Sequence, residues 1–277
     1  MSGSDMTPSN CLLDQDLTVP RAERKVYLDV MEVLTEKRIS FLVGGGRALA
    51  FYTGTTRHTK DLDLIVRSKD VSRIMEIFAS EGYRTTLRFE HWLGKLSKDE
   101  AVVDVIFGSG NGLCSVDEGW FQHAVSGKMF NRPVSFCPPE ELIWSKAFLM
   151  ERTRFDGADI AHLIAAKGHE LNWTRLLRRF ETHWRVLFSH LILCSYIYPS
   201  NRSMIPDWVI AQMLRYTESD MHLPLSSEHI CRGTLLSWSQ YLADIEQNKY
   251  QDGRHFPHGI LTKHQTDRLT ATFREGE

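Results

Sequence analysis

The stretch Ile39-Ser-Phe-Leu-Val-Gly-Gly-Gly-Arg-Ala-Leu-Ala-Phe-Tyr52, followed after a polar link by Asp61-Leu-Asp-Leu-Ile-Val66, decides the fold. The apolar run 39–43 suits a buried strand. Gly44, Gly45 and Gly46 break it, and Arg47–Tyr52 resumes as a short helix up to Gly54, giving a strand, tight turn and helix in sequence. Asp61–Val66 reads as a second strand. Alternate strand residues share a face, so Asp61 and Asp63 project together while Leu62 and Leu64 point the other way. Two carboxylates at one spot repel unless a cation lies between them, and Mg²⁺ or Mn²⁺ is the hard cation that oxygen ligands prefer. A third carboxylate, Asp104, lies in the apolar strand Val102-Val-Asp-Val-Ile106.

Outward from this segment, Pro20 opens a helix whose apolar positions are Tyr27, Val30, Met31 and Leu34. A second helix runs through Val71, Ile74, Met75 and Phe78 to Gly82. Further strands are expected at 83–89, 91–97 and 101–107, with a small hairpin around Asn131. At Pro138-Pro-Glu-Glu the pattern changes, because Pro139 and Glu140 make a good helix start and strand alternation stops. Helices are expected at 139–151, 157–167, 172–181, 184–198, 206–216 and 231–247. The fold class is therefore α+β: a small mixed β-sheet domain with flanking helices at 20–137, then an all-helical domain at 138–260. Residues 1–19 and 261–277 are expected to be flexible ends. The two domains together are expected to form a cleft.

The chain has 277 residues, 42% of them hydrophobic, enough for a substantial core. With 33 basic against 35 acidic residues the formal charge is -2, so no global basic field marks nucleic acid as a partner and there is no DNA signal. Five scattered cysteines argue against a disulfide framework or structural zinc and suit a reducing cytoplasm. The acidic N-terminus is not that of a secretory signal or presequence, and the longest apolar stretch is too short to span a bilayer.

The residues Gly45-Gly46, Arg47-Ala-Leu49, Arg57-His-Thr59-Lys-Asp61-Leu-Asp63 and the later lone Asp104 resemble the glycine-pair and DxD signature of the DNA-polymerase-beta-like nucleotidyltransferase superfamily. In particular the chain resembles minimal and toxin-associated bacterial members, and the resemblance covers roughly residues 25–165. The resemblance implies that Gly45 and Gly46 bind the triphosphate, that Asp61 and Asp63 bind both metals, and that Asp104 binds the metal nearest the acceptor. It further places Lys146 and the segment Arg152-Thr-Arg154-Phe155-Asp156-Gly-Ala-Asp159 beside the nucleotide, with Phe155 standing where relatives often carry lysine. Arg57 and Thr59 are candidates for steadying phosphate or carboxylates.

Three carboxylates on adjacent strands suit in-line displacement of pyrophosphate, one metal polarising an acceptor hydroxyl and one binding phosphates. Glycine turns before a helix admit phosphate to backbone N–H groups. The reading is a Mg²⁺- or Mn²⁺-dependent transferase moving a nucleoside monophosphate from an NTP to an acceptor hydroxyl. The acceptor is open among RNA, protein and a small molecule. The alternatives are a catalytically silent nucleotide- or partner-binding module of a toxin–antitoxin type system, and a metal-dependent phosphohydrolase, which would need extra ligands near the DxD for which His58 is the only candidate. Arg175, Arg178, Arg179 and Arg185 beside Trp173 and Trp184 read either as an RNA-gripping face or as a solvated helix face over a tryptophan core.

Overall fold

A computed structural model describes residues 19–55, 59, 61–224 and 226–274. The chain divides into two compact units, Met1–Pro138 and Pro139–Glu277.

The first unit opens with helix α1 (Arg21–Glu36), which buries Val26, Tyr27, Val30, Met31 and Leu34. Strand β1 (Phe41–Val43), helix α2 (Gly45–Thr53), strand β2 (Leu62–Val66) and helix α3 (Val71–Ser80) follow. Then come β3 (Arg84–Phe89), β4 (Leu93–Lys98), β5 (Ala101–Ile106), the short helix α4 (Glu118–Gln122) and the hairpin β6 (Val125–Met129) and β7 (Arg132–Phe136). The seven strands form one sheet in the order β3-β4-β5-β2-β1-β7-β6. β2 runs parallel to β5 and β1 parallel to β7, while all other neighbours are antiparallel.

Register divides the central strands into an apolar and a polar face. Leu96 pairs with Val103, Gly94 and Leu64 with Val105, and Leu62 with Val103, so these residues share one face. The leucines and valines among them are buried there, and the Met75 side chain of α3 fills the space beside Gly94. The opposite parity carries Lys95, Asp104 and Asp63. Asp61 lies in a bend just before β2, one residue short of the expected strand.

The second unit begins with α5 (Pro139–Ala147), α6 (Gly157–Lys167), α7 (Trp173–Phe180), α8 (Trp184–Ile197) and α9 (Asp207–Met221), close to the expected helices. The helix expected at 231–247 does not form. Its place is taken by strand β8 (Ile230–Cys231), a 3-10 turn over Gly233–Leu235 and a short helix α10 (Leu242–Glu246), with β8 pairing in parallel with β9 (Gln251–Asp252). The reason is a competing set of hydrogen bonds. Glu151 accepts from the Ser237 and Ser239 hydroxyls at 2.6 and 2.8 Å and from the Trp238 N–H at 3.0 Å, bending the backbone around one carboxylate. The Tyr241 ring also occupies the space beside Gly233. Lys263–Arg274, expected within a flexible tail, forms helix α11.

No helix among the described residues is long and apolar enough to cross a membrane.

Candidate active site

Lys95, Asp104 and Asp63 form one transverse row on the polar face of the first unit. Lys95 of β4 pairs with Asp104 of β5, and Asp104 pairs with Asp63 of β2. The row ends at β1, where the Gly44 N–H donates to the Asp63 carbonyl at 2.9 Å.

The glycine turn stands beside Asp63. Gly45 has φ +54°, the left-handed region in which a side chain is costly, and a Cβ there would overlap the Asp63 carboxylate oxygen Oδ2. A Cβ on Gly46 would likewise overlap the Thr59 methyl group. The glycine pair and the DxD segment are thus one packed unit: each glycine makes room for a side chain of the segment that follows. From sequence, the missing side chains are assigned to phosphate approach, whereas the space beside Gly45 belongs to Asp63. The backbone N–H groups of the first turn of α2 still lie at a helix N-terminus, where they have no partner four residues back within the helix.

Asp104 is 8% exposed. Burial pushes its carboxyl proton affinity up, the Lys95 hydrogen bond and charge pull it down, and the nearby Asp61 carboxylate pushes it up again. The Lys95 ammonium donates to Asp104 Oδ1 at 2.6 Å. Asp61 also acts on Tyr27, whose phenol is pushed up to about 12 by burial and by the Glu23 and Asp61 charges. Arg47, 3% exposed on the first turn of α2, places its guanidinium 5.6 Å from the Tyr27 ring centre and 5.3 Å from that of Phe130. Among the described residues no three His, Cys, Asp or Glu side chains gather closely enough to hold a metal ion. Arg57 and His58 lie outside the described residues.

The candidates of the second unit form a cluster of their own. Lys146 is buried, with its ammonium 2.7 Å from both an Asp156 and an Asp159 oxygen, and Arg154 reaches Asp156 at 3.2 Å. The cluster fastens α5 to the start of α6. Burial alone raises the Asp156 proton affinity, but the Arg154 hydrogen bond and the Lys146 charge outweigh it and hold the carboxyl below its usual range. Phe155 is 53% exposed and stacks on His190 with ring centres 6.1 Å apart.

The arginines read from sequence as an RNA-gripping or a solvated face are mostly engaged within the second unit, while Arg178 is exposed. Trp173 is buried and donates to the Gly168 carbonyl at 2.8 Å. Arg175 is paired with Glu140 and Glu141, Arg179 with Glu141, and Arg185 with Asp220. These pairings turn Arg175 and Arg179 into fasteners between α7 and α5.

Lys95 is absent from the residues singled out by sequence, although a signal for it exists. Strands β4 and β5 are joined by the two-residue turn Asp99-Glu100, with Asp99 at φ +51°. Counting back from that turn puts Lys98 opposite Ala101 and, three pairs further, Lys95 opposite Asp104.

Residues 26–138 match the family model described as aminoglycoside-2''-adenylyltransferase. No curated protein matches the chain. Solved structures to which the chain shows some similarity include the antibiotic-resistance factor ANT(2'')-Ia, at 17% identity over 60% of this chain and 95% of that one, with a TM-score of 0.42. A nucleotidyltransferase-like protein from Paracoccidioides brasiliensis matches at 16% identity over 67% and 93% with a TM-score of 0.44. The lincosamide antibiotic adenylyltransferase LnuA matches at 14% identity over 52% and 96% with a TM-score of 0.38.

Proposed function

We propose that the nucleotidyltransferase domain formed by residues 26–138 moves a nucleoside monophosphate, with AMP the first choice, from an NTP to a hydroxyl of a small polyhydroxylated acceptor. The observation that carries this reading is the row of Asp104 and Asp63 on neighbouring parallel strands, with the glycine turn packed against Asp63. Adenylyl transfer and a small acceptor are suggested by the family description.

The donor chemistry fits a divalent cation. Asp61 and Asp63 supply hard carboxylate oxygens two residues apart, and Gly45 leaves room for the Asp63 carboxylate. These two residues would hold Mg²⁺ or Mn²⁺, which when bound offsets charge on the transferring phosphoryl group. The N-terminus of α2, with Gly45 and Gly46, faces phosphate through its N–H groups and dipole. Asp104, on the strand beyond Asp63, stands on the acceptor side and orients the attacking hydroxyl. The acceptor hydroxyl oxygen forms the new bond to the α-phosphorus and gives up its proton to water, the bond between the α-phosphorus and the α,β-bridging oxygen breaks, and pyrophosphate leaves with that electron pair. Lys146 and Asp156 pair with one another within the second unit, and the reading does not depend on them.

The test is incubation with α-labelled ATP, Mg²⁺ or Mn²⁺ and a panel of aminoglycosides, lincosamides and other small polyols, with pyrophosphate release followed in parallel. Labelled acceptor with stoichiometric pyrophosphate is expected from the wild type. Asp63→Asn and Asp104→Asn should each lower the rate by about 10²–10³-fold, the scale of losing one transition-state contact. Release of inorganic phosphate instead, or equal rates in both variants, would refute the reading.

A further inference from the structure

The Lys95–Asp104 pair bears on how many metal ions the transfer reaction uses, and the inference rests on the transfer reading above. In a two-metal centre the acceptor-side carboxylate reaches a cation shared with the DxD carboxylates. Here one oxygen of each of the two neighbouring carboxylates already has its own neighbour. Asp104 directs Oδ1 to the Lys95 ammonium on β4 at 2.6 Å, while Asp63, in register on its other side, places Oδ2 against Gly45 towards α2. The Lys95 side chain is 34% exposed and that of Asp104 11%, so the pair sits where water screens charge only partly and the ammonium is held firmly. The register that makes the pair is set by the tight turn at Asp99-Glu100, so Lys95 is a fixed neighbour of Asp104 rather than a mobile surface lysine.

We propose that the Lys95 ammonium takes the place of a second divalent ion, so that the domain works with one divalent cation, on Asp61 and Asp63, while Lys95 holds Asp104 on the acceptor side. Lys95 is on this account a positioning residue. It acts through Asp104 and supplies the single positive charge that its carboxylate requires.

The experiment counts Mn²⁺ per bound α,β-methylene-ATP by electron paramagnetic resonance on the full chain, with nucleotide binding measured on the same samples. One Mn²⁺ per nucleotide is expected for the wild type and for Lys95→Arg, which keeps a cation beside Asp104. Lys95→Met, which keeps the length of the side chain and removes the charge, should take up two. Because the count is normalised to bound nucleotide, a partly unfolded variant does not distort it. Two Mn²⁺ in the wild type, or one in Lys95→Met, overturns the inference and leaves the transfer reading standing. Absence of both Mn²⁺ and nucleotide binding in the wild type overturns the transfer reading, and the inference with it.

Discussion

Gly45 shows how one residue couples fold to chemistry. Its positive φ would strain any side chain, and the volume a side chain would need belongs to the Asp63 carboxylate. Gly82 is a built-in control, since it has φ +77° with nothing within 4 Å of the place a Cβ would take. Alanine at Gly82 should cost about 1–2 kcal/mol in urea unfolding, the strain of a left-handed L-residue, and alanine at Gly45 should cost more because Asp63 must also move. Only Gly45→Ala should also abolish nucleotidyl transfer, because it pushes Asp63 from its place. Equal transfer rates in the two variants would show that Asp63 does not depend on the glycine.

Among the elements, the joint between α5 and α6 is the most exposed to a change of charge. Lys146 is shared by two buried carboxylates, so Lys146→Met leaves Asp156 and Asp159 without that cation and should destabilise the protein by about 3–5 kcal/mol in urea unfolding. The same joint sets an acid limit. Because the folded-state proton affinity of Asp156 lies below the ordinary 3.8, its contribution is complete above that pH and disappears as the pH falls through the lower folded value. Asp252 behaves likewise: burial raises its proton affinity, but the Arg254 hydrogen bonds and charge outweigh this and hold it low. Thermal unfolding followed between pH 5 and pH 2 should therefore show stability falling below about pH 4, the ordinary carboxylate range. A midpoint independent of pH over that range would contradict the assignment of both clusters.

For the molecule as a whole, the sheet closes through its own apolar face. Leu62, Leu64, Leu96, Val103 and Val105 are each 0–1% exposed, so this face is held by the chain's own apolar side chains. Chelation should therefore abolish transfer while leaving the thermal midpoint within a degree or two, and added Mn²⁺ should restore activity. A large drop in the midpoint on chelation would mean that the metal is structural.

The chain order of strand, glycine turn, helix and DxD strand is legible in the sequence because each signal is local: a glycine break, a period of 3.6, a period of two. The shared parity of Asp61 and Asp63 is an expectation of the same rule that does not extend to the bend in which Asp61 lies. Asp104 is recognisable as an acid in an apolar strand, and the short turn at Asp99-Glu100 sets Lys95 opposite it, but its pairing with Asp63 joins strands far apart in sequence, and no local period encodes that. Tertiary structure alone decided that Asp63 flanks Asp104, that the space beside Gly45 goes to Asp63, and that Lys146 faces Asp156 and Asp159. It also decided that Glu151 turns the apolar pattern of 231–247 away from a helix. The physical reason is common to all four: a buried charge or polar group must find its partner wherever the fold brings one, and that search overrides the local preference of the segment that carries it.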